Sequence, residues 1–318
     1  MKANAGEDPG VVGTVLNIRS DNPAGRDGVL KSLALPDGTD MAYRDAGQGP
    51  VLLLVHGWAA SGRFFDPIVD LLKQDFRVIV PDLRAHGQTP AGPGRPDIDA
   101  LADDLVVLLD ALDVTGVVAL GWSMGAQVLW SLIERHGADR LAGLVVEDMS
   151  PRILNTEDWS LGMSSGMDTA GSQRALEAMR SNWPAYAAAF VRHIFSRDRA
   201  SRDPDLIQRV LVELHQCDAE AMAALWESMA GQDFRPALPA MSLPVLVTWG
   251  EASQAYDPAT SRYLVDTLPN AQGKAFAQSG HAPHLEQPEE FAEAVQQFAS
   301  QVQAGDTHPE HIEGSFSS

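Results

Sequence analysis

The sequence predicts an α/β fold, with a mostly parallel, doubly wound sheet and a helical cap inserted late in the chain. Three observations predict it. Five short apolar runs, Val51-Leu-Leu-Leu-Val55, Phe76-Arg-Val-Ile-Val80, Val117-Val-Ala-Leu120, Leu144-Val-Val146 and Val245-Leu-Val247, read as strands buried on both faces. Helical patterns separate them, as in Ile98, Leu101, Leu105, Leu108 and Leu112 at three- and four-residue spacing. The alternation then stops across residues 151–234, which keep helical periodicity and carry no strand pattern.

In chain order, residues 1–29 are rich in Gly, Asp and Asn and read as a polar extension, whose first ten residues, Met1 to Gly10, lack the apolar run of a secretory signal or membrane span. The domain begins at residue 30. Alternating stretches around Leu33 and Met41 flank Pro36-Asp37-Gly38, a turn signal for an antiparallel hairpin at a sheet edge. Residues 30–150 and 235–303 then form the core, and residues 151–234 the cap. Right-handed crossovers place helices on both faces and bring every loop that follows a strand to one edge, where open α/β sheets build their sites. The cap is loaded with aromatic and Met side chains. Most are expected to pack it onto the core, while Trp159, Trp183 and His193 are the candidates to line a substrate pocket. Residues 304–318 are a polar tail expected to be disordered, and its His308 and His311 read as solvated residues rather than metal ligands.

Composition narrows the function classes. Forty-three acidic against 23 basic residues in 318 give a formal charge of −20, which repels phosphate backbones and anionic lipid surfaces. Neither nucleic acid nor a membrane is an expected partner; a small-molecule substrate is. The single cysteine, Cys217, allows no internal disulfide and no thiolate metal cluster. No metal or other cofactor is implied, and the composition fits the cytoplasm.

The chemistry centres on Gly121-Trp-Ser123-Met-Gly125, which lies between the run 117–120 and a helical pattern over residues 126–135. A serine held in a strand-turn-helix junction projects its hydroxyl above the sheet edge, and only small residues fit two positions to either side. Ser123 is the candidate nucleophile. Such a serine needs a base, usually histidine. Of nine histidines, His281 is selected because it lies late in the chain, in the loop Gln278-Ser-Gly-His-Ala-Pro-His-Leu-Glu-Gln-Pro288 before the final amphipathic helix over residues 289–302. His56, His86 and His284 are expected to shape loops. Acyl transfer also needs N–H donors for the developing oxyanion, and the N–H groups of Trp58 and Met124, at the ends of two strands, are the candidates.

With these pieces placed, residues 30–303 resemble the α/β-hydrolase superfamily. The resemblance rests on His56-Gly57-Trp58, Pro81-Asp-Leu-Arg-Ala-His-Gly87, the turn around Ser123, and Gly280-His281 followed by Glu286 and Pro288. Within the superfamily the chain is most similar to bacterial serine esterases and cofactor-free haloperoxidase-type members. It departs from the pattern at one place. The resemblance puts the catalytic acid three residues after the glycine ending the penultimate strand; that glycine is Gly250, and the third residue on is Ser253. Asp148, closing the strand-like run Leu144-Val-Val-Glu-Asp148, is the first choice for the acid. Asp257 is the alternative, Glu251 lies too close to the strand to reach across, and the absence of any acid is the third possibility.

Three functions follow for testing. The first is a hydrolase that cleaves a carboxylic ester, or a related acyl bond, of a medium-sized apolar or aromatic substrate through an acyl-enzyme. The second is a cofactor-free dioxygenase opening hydroxylated N-heteroaromatic rings, which the His56-Gly-Trp58 loop, the Phe76–Pro81 run and the unfilled acid position also resemble. The third is a non-catalytic ligand receptor on the same fold.

Overall fold

Eight strands form one sheet in the computed structural model, which describes residues 29–305. The polar extension and tail expected at the two ends, with His308 and His311, lie almost wholly outside the described residues. The chain enters through the hairpin of β1 (Val29–Ala34) and β2 (Asp40–Ala46), which pairs Leu33 with Met41 around a turn where Gly38 takes φ 86°. β3 (Val51–Val55), β4 (Arg77–Pro81), β5 (Val117–Trp122), β6 (Leu141–Glu147), β7 (Val245–Gly250) and β8 (Ala271–Phe276) follow in parallel. The strand order is β1-β2-β4-β3-β5-β6-β7-β8. The five apolar runs are therefore β3 to β7, and β5 and β7 are buried along their whole lengths, as strands covered on both faces must be.

Helices α1 (Asp66–Leu72), α2 (Ile98–Ala111) and α3 (Met124–His136) connect the central strands. α2 packs against α3, and α1 against the C-terminal helix α11 (Pro288–Ala304). Between β6 and β7 the chain leaves the sheet for five helices: α4 (Thr169–Ser181), α5 (Trp183–Ile194), α6 (Arg197–Arg202), α7 (Pro204–Gln216) and α8 (Ala219–Gly231). Each starts where a short polar side chain accepts a backbone N–H of the first turn: Asp168, Asn182, Ser196, Asp203 and Asp218. Each such cap is worth about 1 kcal/mol, so this region is divided into helices by local chemistry before it packs on anything. α9 (Pro258–Thr267) lies against β7 and β8, and α10 (Pro283–Glu286) is a single turn. No helix of the described residues is long and apolar enough to cross a membrane.

This order places the ends of β3, β4, β5 and β6 side by side. Each is followed by a non-glycine residue in the left-handed region: Ala59 (φ 56°), Ala85 (φ 66°), Ser123 (φ 51°) and Asp148 (φ 45°). Such residues cost about 1–3 kcal/mol each and persist where surrounding structure holds them, often at functional sites. Among the described residues Asp113 is the one other non-glycine residue with positive φ.

Candidate active site

Ser123 sits between β5 and α3 with φ 51° and ψ −121°, its N–H bonded to Glu147 O at 2.9 Å. The neighbouring glycines are sterically required. A Cβ at Gly125 would lie 2.1 Å from Val55 O, and one at Gly121 would lie 2.5 Å from Ala126 N. The half-buried hydroxyl faces a cavity of about 250 Å³ that His281 also lines.

His281 is held by three hydrogen bonds. Its Nδ1–H donates to Asp148 Oδ2 at 2.6 Å, its N–H donates to Ile194 O at 2.9 Å, and its carbonyl accepts Trp122 Nε1–H at 2.8 Å. From its own loop, Glu286 accepts Gly280 N–H at 2.6 Å and, with its other oxygen, the N–H and O–H of Ser196. That carboxyl therefore ties the histidine loop to the cap, and burial pushes its pKa up. With Nδ1–H committed to Asp148, Nε2 carries the lone pair that a general base needs.

Asp148 is the carboxylate that meets His281. It is 2% exposed, its N–H bonds Thr248 O at 2.8 Å, and its left-handed backbone turns the side chain toward the histidine loop. Asp257 is exposed and caps α9 by accepting Ala259 N–H at 2.8 Å. Glu251 accepts the indole N–H of Trp249. Ser253, at the position left without a carboxylate, donates to Asp148 Oδ2 at 2.7 Å.

Trp58 and Met124 follow β3 and Ser123, and among the described residues neither N–H has a hydrogen-bond acceptor. Two buried histidines brace the Trp58 loop. His56 donates from Nδ1 to Gly57 O and accepts Leu83 N–H at Nε2, at 2.8 and 2.9 Å. His86 donates from Nδ1 to Arg84 O and accepts Ala59 N–H at Nε2, at 3.0 and 3.1 Å. An Nε2 that accepts a backbone N–H must be unprotonated. Burial holds both rings neutral, with pKa values lowered to about 4 for His56 and about 3 for His86. Below the site His284 donates from Nδ1 to Glu147 Oε1 at 2.8 Å in a fully buried pair, fixing the loop to β6.

The cavity walls correct two sequence expectations. Trp159 and Trp183 do not line it. Trp159 donates to Arg152 O and stacks edge-on with Tyr263, while Trp183 donates to Leu214 O. Both are buried in packing instead, Trp159 against α9 of the core and Trp183 between α7 and the ring of Trp58. His193 does line the cavity, at its rim. The apolar wall comes from Phe190, Trp226, Met229 and Tyr186 of the cap and from Trp58, which helical periodicity could not single out. The Trp58 ring lies edge-on to Trp183, Phe190 and Trp226 at 5.0–5.6 Å, and its Nε1–H donates to Met222 O at 3.0 Å. Tyr256 closes the floor, its hydroxyl turned to Met149 Sδ at 3.2 Å and its pKa pushed up by burial. No Asp, Glu, Lys or Arg lines this cavity among the described residues. Ser165, His193 and Gln254 are shared with a larger polar cavity of about 1160 Å³. Among the described residues no three His, Cys, Asp or Glu side chains gather so as to hold a metal ion.

Sheet order, strained turn and inserted helices define an α/β hydrolase, and comparison with known proteins agrees. The family model described as alpha/beta hydrolase fold matches residues 50–288, and the chain belongs to that family. It is 28% identical over 262 residues to a pimeloyl-[acyl-carrier protein] methyl ester esterase of Vibrio campbellii, covering 82% of this chain and 99% of that one. Among solved structures it is similar to a thermophilic esterase from Thermogutta terrifontis, with TM-score 0.76 and 29% identity over 86% of this chain and 98% of that chain. A bromoperoxidase from Bacillus anthracis shares the fold at TM-score 0.78 and 22% identity, over 82% of this chain and 96% of that one.

Proposed function

We propose that the chain is a serine ester hydrolase acting through an acyl-enzyme on an ester with a medium-sized apolar or aromatic group. The observation that carries this reading is one apolar cavity lined by both Ser123 and the His281 that Asp148 holds. In this reaction His281 Nε2 takes the Ser123 proton as Oγ attacks the ester carbonyl, and the oxyanion is received by the N–H groups of Trp58 and Met124. Collapse expels the alcohol, which regains a proton from His281. Water deprotonated by His281 then cleaves the acyl-enzyme and restores Ser123. Asp148 stabilises the imidazolium formed in both halves.

The cavity is smaller than the roughly 300–1,000 Å³ of drug-sized sites and carries no fixed charge, which favours one compact acyl, alkyl or aryl group over a long chain or a sugar. The adjoining polar cavity gives the rest of a longer ester somewhere to extend. The relatives named as esterases support the reaction type.

The dioxygenase alternative loses one of its hints, because Asp148 supplies the carboxylate missing after Gly250. Purified protein offered a panel of p-nitrophenyl esters, lactones and hydroxyquinolones, with fluorophosphonate labelling read by peptide mapping, tests the proposal. Ester turnover with the label on Ser123 is expected. Oxygen uptake with a hydroxyquinolone and no ester turnover would replace this reading with the dioxygenase, and tight binding without turnover of any kind would leave the receptor.

A further inference from the structure

The scheme above leaves Ser253 without a task, yet its hydroxyl reaches the centre of the site. Ser253 lies three residues after Gly250, where β7 ends. Its Oγ donates to Asp148 Oδ2 at 2.7 Å, and the same oxygen accepts the Nδ1 proton of His281 at 2.6 Å. The hydroxyl is itself aimed, because Oγ accepts the N–H groups of Ala255 at 3.2 Å and Tyr256 at 3.4 Å, which leaves its proton for the carboxylate. The chain after β6 and the chain after β7 thus converge on one oxygen atom beside the imidazole.

We propose that Ser253 is a positioning residue that holds Asp148 Oδ2 against His281. The proposal rests on reading Ser123, His281 and Asp148 as a triad. Asp148 needs such support, since its backbone is in the left-handed region that a residue with a side chain occupies at a cost. A hydroxyl donating to a carboxylate oxygen also stabilises the anion and divides that oxygen between two donors. Without it, Oδ2 holds the imidazole proton more tightly and favours the imidazolium.

The other titratable groups around the imidazole are already engaged or stand off. Tyr256, from the loop after β7, turns its hydroxyl to Met149, and His193 of the cap donates from Nδ1 to Ala189 O. On the loop of His281 itself, Glu286 is bonded to Gly280 and Ser196, and His284 to Glu147. The cap segment packed on that loop carries Arg199, which faces Glu286 and pairs with Asp203. Asp148 is therefore the group through which Ser253 acts.

Two variants of the full chain test the proposal: Ser253→Ala and Ser253→Thr. Two readouts are used: the low-field proton NMR resonance of the His281–Asp148 hydrogen bond, and the pH dependence of kcat/KM on an ester that the wild type hydrolyses. Ser253→Ala is expected to move the resonance downfield and the acidic limb of the profile up by about 0.5–1 pH unit, the size expected for losing one hydrogen bond. Ser253→Thr, which keeps the hydroxyl, restores both. An unmoved resonance and limb in Ser253→Ala would overturn the positioning role. If Ser253→Ala does not fold, Ser253→Cys, whose thiol is the weaker donor, takes its place in the comparison with Ser253→Thr, and the same unmoved readouts would overturn the role. A wild type that hydrolyses no ester would refute the triad reading, while the NMR comparison would still judge the contact.

Discussion

Asp148 Oδ2 and His281 Nδ1 meet at 2.6 Å, with the two side chains 2% and 7% exposed and 133 positions apart in the chain. Little water reaches this pair, so an imidazolium formed during reaction has the carboxylate as its counter-charge. Asp148→Asn should lower kcat by about 10³–10⁴-fold, whereas Asp257→Asn should stay within about twofold of wild type. Asp257→Ala, by contrast, removes the cap of α9 and should cost about 1 kcal/mol of stability. Ester hydrolysis and urea unfolding on the three proteins check both statements, and collapse of activity in Asp257→Asn would contradict the assignment.

Ser123→Ala removes only a hydroxyl from a turn whose shape depends on Gly121 and Gly125. Ester turnover should fall by about 10⁴–10⁶-fold with the melting temperature unchanged. Retention of more than a few per cent of activity in steady-state assays would mean that the serine only orients substrate.

Selectivity should follow the cavity wall rather than the most conspicuous tryptophans of the cap. Phe190→Ala enlarges the cavity and should raise kcat/KM for bulkier acyl groups relative to acetyl by about tenfold, the scale of one to two methylenes in an apolar pocket. Trp159→Phe and Trp183→Phe lose indole hydrogen bonds to Arg152 O and Leu214 O and should cost about 1 kcal/mol or more of stability with acyl preference unchanged. A shifted preference in either tryptophan variant, measured across an acyl-length series, would refute the division.

Stability should decline on acidification before most carboxylates titrate. His56 and His86 are neutral in the fold, with pKa values near 4 and 3 against 6.5 for an ordinary histidine. Between pH 6.5 and 4 the unfolded chain therefore binds protons that the folded chain does not, so their contribution is fully present above pH 6.5 and is lost as pH falls toward 4. From pH 7.5 to pH 5 the loss should reach about 4 kcal/mol, about 2 from each ring. A urea midpoint that stays flat between pH 7 and pH 5 would show that the rings titrate normally.

The central sheet was legible because each of its strands is an apolar run between helical patterns, and the Pro36-Asp37-Gly38 turn placed Leu33 opposite Met41. β8 was harder to recognise. It is an edge strand of mixed burial containing Gln272, Gly273 and Lys274, so it presents no apolar run. Local turns and chain order marked Ser123 and His281 as candidates, and the fold brings both to one cavity. Asp148 stood ahead of Asp257, and of no acid at all, without being fixed, since its contact with the histidine turns on a backbone angle at residue 148 and on which loop curls toward the ring. Pocket residues were the least legible. A cap that packs on itself as well as on the core has no outward stripe, so periodicity could not separate Phe190 and Trp226 from Trp159 and Trp183. Glu286 stood out only as part of the motif around His281, its bond to Ser196 of the cap being invisible in sequence, and Tyr256 was missed because it acts through a contact made across the fold.

Trp58 lines the cavity from the core side while its indole is gripped by α5 and α8. Cap and core are therefore not interchangeable modules. A cap grafted from a relative between β6 and β7 would have to bring a socket shaped for an indole at position 58, or this wall of the cavity would lose its support. Lineages built on this chain would accordingly change substrate by editing the cap in place, one wall residue at a time, rather than by exchanging it whole.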